Sequence, residues 1–189
     1  AERLRRNFST AAPETRELVN ECTSTIVGEV EALKGLVDEF SHFARLPSPR
    51  AVPTDINFLL ADTLGLYAGL FHGITIETTY DPGLPVVRLD PDQIRRVVVN
   101  LVDNAAAALG GDRGLTSEPG GIIGVATHHD VTNHVARVTV SDNGPGIAEV
   151  DRDKLFLPYF STKGRGSGLG LAIVRQIVVE HGGSIEVTE

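Results

Sequence analysis

The stretch "DPDQIRRVVVNLVDNAAAAL", residues 90–109, decides the fold of this chain of 189 residues. Its apolar side chains recur every three or four residues, the period of a helix with one buried face; they are Ile94, Val97, Val98, Leu101, Ala105 and Ala108. A second face carries polar side chains four apart, namely Asp92, Arg96, Asn100 and Asn104. Asparagine is unfavourable inside a helix because its side chain competes for backbone hydrogen bonds. The pair Asn100 and Asn104 therefore indicates either a solvated face or two neutral oxygen ligands for a hydrated magnesium ion.

Helix and strand signals alternate on both sides of this helix and predict an α+β domain over residues 54–189. Helices are expected over 57–71 and 168–181, and strands near 74–80 and 86–89. Two extended runs, 121–128 and 134–141, predict a hairpin. Together these elements predict a mixed or antiparallel sheet that is covered by helices on one face.

An apolar seam runs along one long helix predicted over residues 14–44. Its apolar members are Val19, Ile26, Val30, Leu33, Val37, Phe40 and Ala44, and with Thr23 in the slot after Val19 the spacing alternates by four and three residues. Leu4 and Phe8 indicate the end of a preceding helix, so residues 1–46 are predicted to form a helical hairpin with a truncated first helix. A dimeric four-helix bundle would bury this seam, and packing against the rest of the chain is the alternative. Three prolines within residues 45–55 predict a linker at 47–53.

Composition restricts the class of protein further. The chain is 41% hydrophobic and 22% charged, as in soluble globular proteins, and has no apolar run of the ~20 residues that cross a bilayer. Its single cysteine, Cys22, excludes an internal disulfide, and its net charge of −8 argues against general nucleic-acid binding. We expect a cytoplasmic segment without membrane contact. Its abrupt start and end are typical of an excised segment, which leaves open an inner-membrane anchor in the parent protein.

A glycine cluster, "STKGRGSGLGLAIV" at residues 161–174, precedes an amphipathic helix. Glycines let the backbone approach an anion closely, and the free N–H groups at a helix start point toward it. Lys163 and Arg165 add positive charge. The spacing is not that of a P-loop. The cluster therefore indicates either a phosphate-binding lid or a flexible loop.

A second glycine-rich stretch, "SDNGPGI" at residues 141–147, follows a predicted strand. Asp142 ends that strand, and the glycines after it leave room for a flat ligand. A buried carboxylate at this position could accept a hydrogen bond from the exocyclic amine of adenine, whereas the O6 of guanine would repel it. These features favour an adenine nucleotide.

In order and spacing, the asparagine helix, "DNGPGI" (142–147), "LFLPYFSTK" (155–163) and "GRGSGLGLAIV" (164–174) resemble four sequence boxes of bacterial sensor histidine kinases. These are the N, first glycine, F and second glycine boxes of the ATP-binding domain, which is shared with gyrase, heat-shock chaperone ATPases and MutL. The long helix followed by "DEFSHFARLPSP" (38–49) is similar to the second dimerisation helix of nitrogen-regulation kinases of the NtrY type. The resemblance implies an α/β sandwich, a homodimer, and transfer of the γ-phosphoryl of ATP to a histidine and then to a response regulator.

The resemblance also implies the residues that bind ATP and Mg²⁺. Asn104 is the better candidate for the direct metal ligand and Asn100 the second. The nucleotide site would comprise Asn100, Asn104, Asp142, Gly144, Gly146, Ile147, Phe156, Phe160, Thr162, Lys163, Arg165, Gly166, Gly168, Leu169 and Gly170. Asp142 would read the adenine amine, and the two phenylalanines would anchor the lid. Ala107 replaces a basic residue common in the family, and the family's last strand is expected to be missing after "HGGSIEV".

No histidine of the chain lies in the "HE-x-x-NP" type of box that accepts the phosphoryl group in such kinases; the six are His42, His72, His128, His129, His134 and His181. We therefore expect the acceptor upstream of Ala1 and no autophosphorylation by this chain alone. His42 is interpreted as a solvent-facing helical residue, and His181 as a helix-end residue favoured by the dipole. Two alternatives are an ATPase that drives conformational change and a non-catalytic dimerisation scaffold. The first normally needs a glutamate where Asn100 stands.

Overall fold

A computed structural model of the chain describes residues 6, 8, 12–44, 47–110, 116–162 and 167–188. At positions 32, 36, 38–44 and 116–119 it describes the backbone only. The chain divides into two compact units, Ala1–Leu46 and Pro47–Glu189. Among the residues described, no helix combines the length and the apolar character needed to cross a membrane.

The first unit contains helix α1, Pro13–Ala44, which confirms the predicted long helix. Its apolar seam lies largely on the surface, because Ile26 and Leu33 are 58% and 59% exposed. Thr23 is the exception: it is buried, and its hydroxyl donates to the carbonyl oxygen of Val19 at 2.6 Å. Leu4, on which the expected preceding helix depends, lies outside the described residues.

The described residues of the second unit contain nine further elements, each shorter than α1. In chain order they are β1 (Val52–Thr54), α2 (Ile56–Gly65), β2 (His72–Thr79), β3 (Val87–Leu89), α3 (Pro91–Ala108), β4 (Thr116–Asp130), β5 (Val135–Asp142), α4 (Glu149–Arg152) and α5 (Gly170–Glu180). Strands β1 and β3 form a small antiparallel pair. Strand β4 lies at the centre of the main sheet, parallel to β2 and antiparallel to β5.

The main sheet buries one face only. Ile123 and Val125 of β4 are almost completely buried in a core that includes Leu60 of α2 and Val102 of α3. Ile122, which points to the opposite face, is 39% exposed. This alternation is typical of an antiparallel or mixed sheet with one solvated face. The predicted mixed sheet with helices on one face is therefore confirmed.

Helix α3 is buried more widely than its sequence pattern predicted. Val102 and Ala106 are 0% and 1% exposed, whereas Leu101 and Ala108 are only half-buried. The difference arises because α3 packs against the sheet on one side and against α5 on the other. A helix with two neighbours buries more than a single apolar stripe.

Three element boundaries differ from the predictions. Residues 52 and 53, expected in the linker, pair with β3. Helix α2 stops at Gly65 rather than at residue 71, because Gly65 and Gly69 (φ +75°) interrupt an otherwise apolar run. Strand β4 begins at Thr116 rather than at residue 121, because it already pairs with β2 there, with Thr116 opposite His72. At the carboxyl end, residues 184–188 are not a strand.

Asp90 joins the start of α3 to two other segments of the unit. Its carboxylate accepts hydrogen bonds from the backbone N–H groups of Arg50, Asp92 and Gln93 at 2.8–3.1 Å. Its own N–H donates to Nε2 of His181 at 3.0 Å, and Nδ1 of His181 lies 2.7 Å from the carbonyl oxygen of Ile177. The His181 proton therefore lies on Nδ1. His181 ends α5, as the sequence analysis expected, and these two hydrogen bonds hold its ring in place.

We expect Asp90→Ala to lower the free energy of unfolding by about 1–3 kcal/mol, because three backbone donors lose a buried acceptor. Asp55→Ala is the matched control, since Asp55 caps α2 through the N–H of Phe58 alone. It should cost about 1 kcal/mol or less. Chemical denaturation of the two variants measures both values, and equal losses would contradict the role of Asp90.

The difference in the free energy of unfolding between wild type and Asp90→Ala should also depend on pH. Burial raises the pKa of Asp90, but the N–H groups of Arg50, Gln93 and Asp92 outweigh it and hold the pKa below the ordinary 3.8. A depressed pKa means that the charged form contributes its full stabilisation above about pH 4 and loses it as the pH falls through the folded-state pKa. The stability gap between wild type and Asp90→Ala should therefore narrow below pH 4.

Candidate functional site

One row of side chains on α3 forms the centre of the site. Asn100, Asn104 and Ala108 follow one another at intervals of four residues, so they lie on one face along about 12 Å of helix. Asn100 is half-buried and Asn104 is exposed. Other segments of the unit approach this row at its two ends.

The start of α5 lies against the Asn100 end of the row. Asn100 Nδ2 donates to the carbonyl oxygen of Arg96 at 2.8 Å, and its Oδ1 faces Gly170. A Cβ on Gly170 would lie only 2.7 Å from that oxygen, so a side chain there would displace the Asn100 amide. The first turn of α5, residues 170–173, carries no acidic side chain. Its free N–H groups and positive dipole end therefore suit an anion beside the asparagines.

The turn after β5 lies against the other end of the row. A Cβ on Gly144 would lie 3.4 Å from the Cβ of Ala108 and 2.6 Å from Oδ1 of Asp142. The N–H of Gly144 donates to the same Asp142 oxygen at 2.9 Å. The lack of a side chain at Gly144 lets the Asp142 carboxylate and Ala108 approach the turn this closely. Gly146 adopts a φ of +74°, and Ile147 is 43% exposed.

Asp142 itself differs from the prediction in one respect. It is exposed rather than buried. The reason is its place at the end of β5, which is an edge strand of the described sheet. Its register partner is Ile123, which faces the helices, so Asp142 lies on the helix-covered side of the sheet, where α3 also lies.

Asn143 is a structurally important residue that the sequence analysis did not single out. Its Oδ1 accepts from the N–H of Ile122 at 2.7 Å, and its Nδ2 donates to the carbonyl oxygen of Gly120 at 2.9 Å. In the sequence it looked like an ordinary turn asparagine. Its ability to both donate and accept at a strand end was the available signal.

The segment around the F box lies against the described end of the glycine cluster. Phe156 and Phe160 are half-buried, and the ammonium group of Lys154 lies 6.0 Å from the centre of the Phe160 ring. Gly168 (φ +69°) packs so closely that a Cβ would lie 2.6 Å from the carbonyl carbon of Tyr159 and 2.9 Å from the backbone of Phe160. Gly168 therefore lies directly against the backbone of Tyr159 and Phe160.

The remaining predicted site residues have different positions. Leu169 is fully buried, so it anchors the lid in the core, and Thr162 is exposed. Lys163, Arg165 and Gly166 lie outside the described residues. Within the described parts of the chain, no three histidine, cysteine, aspartate or glutamate side chains cluster to hold a metal. A metal at this site would thus depend on amide oxygens and on a ligand's phosphates, which suits magnesium.

Known proteins with similar sequences indicate the family to which the chain belongs. Residues 89–189 match the family described as "Histidine kinase-, DNA gyrase B-, and HSP90-like ATPase". The chain is 33% identical over its whole length to the nitrogen regulation protein NtrY of Azorhizobium caulinodans, of which it covers 24%. It is 37% identical over 87% of its length to the sensory histidine kinase/phosphatase NtrB of Rhizobium leguminosarum bv. phaseoli, of which it covers 45%. The chain thus spans less than half the length of these relatives.

Solved structures of histidine kinases have the same fold. Full-length ShkA in complex with AMPPNP matches 90% of the chain and 35% of its own length, with a TM-score of 0.69 and 27% identity. ThkA in complex with the response regulator protein TrrA matches the whole chain and 52% of its own length, with a TM-score of 0.66 and 26% identity. The catalytic domain of ThkA alone matches 74% of the chain and 89% of its own length at 0.59 and 31%.

The family match covers more than half of the chain, and NtrB and ThkA, two of the similar proteins, are histidine kinases. The chain therefore belongs to the family of histidine kinase-, DNA gyrase B- and HSP90-like ATPases.

Proposed function

We propose that the chain is the Mg-ATP-binding catalytic part of a sensor histidine kinase. It would donate the γ-phosphoryl group of ATP to a histidine outside these residues, from which the group passes to a response regulator. One observation carries the proposal: the row Asn100–Asn104–Ala108 joins the Asp142–Gly144 turn to the start of α5. A nucleotide can extend along such a row with its base at one end and its phosphates at the other.

The base would be recognised at the Ala108 end. Asp142 would accept a hydrogen bond from the 6-amino group of adenine, with the Gly144 N–H holding one carboxylate oxygen in place. Gly144 and Gly146 leave room for the ring, and Ile147 offers an exposed apolar side chain. A guanine carbonyl at the same place would face a carboxylate and be rejected.

The phosphates and the metal would be bound at the Asn100 end. Asn104 is the better direct ligand because it is exposed, whereas Asn100 is half-buried and its Oδ1 faces Gly170. The start of α5 and Gly168 would surround the phosphates, with Lys163, Arg165 and Gly166 closing over them. The bound magnesium would neutralise phosphate charge during transfer.

The chemistry of position 100 favours a kinase over a hydrolysing ATPase. An amide side chain is a poor general base, so Asn100 would not activate water in the way that a glutamate does. Tight glycine contacts at positions 144, 168 and 170 argue against a degenerate scaffold, because a scaffold has no need of them. We therefore infer that the nucleotide site is functional and that a histidine outside these residues accepts the phosphoryl group.

Two protein partners follow from the proposal. The ThkA structure contains a response regulator, which supports a response regulator as the final acceptor. The exposed seam of α1 supports a homodimer, since Ile26, Val30, Leu33 and Val37 are each more than half exposed. We place the chain in the cytoplasm, where ATP is available, with any inner-membrane anchor elsewhere in the parent protein.

We expect Asp142→Asn to weaken ATP binding by about 1–3 kcal/mol, because the base loses its charged acceptor. Asp130→Asn is the matched control, since Asp130 also ends a strand of the same hairpin and accepts from a backbone N–H, that of Asn133. Calorimetric titration with Mg-ATP should show a loss for the first variant only. Equal affinity of Asp142→Asn and wild type would exclude the base contact.

We expect charged residues at positions 26 and 33 to convert a dimer into monomers, because they would place charge within the apolar seam of α1. The double variant Ile26→Glu, Leu33→Glu can be compared with Glu21→Lys, Glu31→Lys, which changes charge at exposed positions outside the seam. Sedimentation equilibrium measures the outcome. A double seam variant that dimerises as strongly as wild type would contradict this interface.

A further inference from the structure

Asn143 continues the pairing of β4 and β5 beyond the last residue of the strand. The register of the two strands ends with Ile123 opposite Asp142. The backbone N–H of Asn143 then donates to the carbonyl oxygen of Ile122 at 3.2 Å. The side chain adds the bonds to Ile122 N and Gly120 O at 2.7 and 2.9 Å. One residue thus makes three hydrogen bonds to the backbone of β4.

These bonds fix the residue that directly follows Asp142. The end of an edge strand is paired on one side only, so its last residues are the first to open. Asp142 lies between the Ile123 pair and the Asn143 bonds, and Gly144 returns an N–H to the Asp142 carboxylate. The backbone of Asp142 is therefore fixed on both sides, and its carboxylate accepts from the Gly144 N–H.

The point on β4 to which Asn143 binds is itself packed against the end of α3. A Cβ on Gly121 would lie 3.0 Å from Ile74 and 3.3 Å from Leu109, the residue that directly follows α3. Asn143 bonds on both sides of Gly121, to Gly120 and Ile122. Through these contacts, the position of the turn at Asp142 is fixed relative to α3, the helix that carries Asn100 and Asn104.

We propose that Asn143 is a positioning residue for base recognition, which sets the place of the Asp142 carboxylate relative to α3 and thereby the selectivity for a 6-amino purine. This inference rests on the proposed binding of ATP. It assigns to Asn143 no contact with the nucleotide. Its effect is exerted on the direction of the Asp142 carboxylate.

The test compares ATP with purine riboside triphosphate, which differs from ATP only in lacking the 6-amino group. By calorimetry, wild type should prefer ATP by about tenfold or more, the value of one hydrogen bond to a charged group. In Asn143→Ala the preference should fall to about twofold, because the carboxylate is no longer held in one position. A general loss of affinity would lower binding of both nucleotides equally and leave the preference unchanged.

Asn133→Ala is the matched control. Asn133 lies at the other end of the same hairpin, where its backbone and side-chain N–H groups donate to Asp130. This variant should keep the wild-type preference for ATP. If it loses the preference as Asn143→Ala does, the effect belongs to the hairpin as a whole and the proposal is wrong.

The outcomes separate this inference from the proposed function. A wild type that binds neither nucleotide overturns the proposed function, whereas an Asn143→Ala variant with full preference for ATP overturns only the role of Asn143. Asn143→Asp keeps the oxygen that accepts from Ile122 and loses the donor to Gly120, so its preference should be intermediate. If both variants unfold, wild-type hydrogen exchange decides: ATP should protect the Ile122 amide more than purine riboside triphosphate does, and equal protection contradicts the proposal.

Discussion

The close approach of α5 to α3 is the constraint on which the site depends. Asn100 and Gly170 meet where even one added carbon would lie 2.7 Å from the amide oxygen. This contact brings the positive end of α5 beside the polar row of α3. Both helices bury apolar side chains, and Val98 and Ile173 are 2% and 1% exposed. Burial of such side chains stabilises the position of the two helices, and with it the approach of α5 to Asn100.

The other end of the row depends on backbone pairing rather than on packing. Asp142 is exposed at the end of an edge strand, so burial does not fix it. Hydrogen bonds from Gly144 and through Asn143 do so. The two ends of the row are thus fixed by different physical means, a helix–helix contact at Asn100 and a hydrogen-bonded turn at Ala108. Asp90 also connects the two helices, because its N–H at the start of α3 donates to His181 at the end of α5.

The sequence was sufficient for features that depend on local periodicity. The period of α3, the heptads of α1 and the extended runs of β4 and β5 predicted elements that the structure confirms. It was insufficient where neighbours distant in the chain decide. Strand β1 forms in a proline-rich segment because β3 pairs with it, and the second buried side of α3 exists because α5 packs there. Asn143 was overlooked because its partners, Gly120 and Ile122, lie more than twenty residues away.

A crystal structure with Mn²⁺ and a non-hydrolysable ATP analogue tests the central claim most directly, because anomalous scattering locates the metal independently of the nucleotide. The account predicts a metal peak about 2.0–2.2 Å from Oδ1 of Asn104, at the end of the row that faces α5. It also predicts the adenine amine within hydrogen-bonding distance of the Asp142 carboxylate. A metal bound away from α3, or a nucleotide that lies along the row with its phosphates at Asp142, would contradict it.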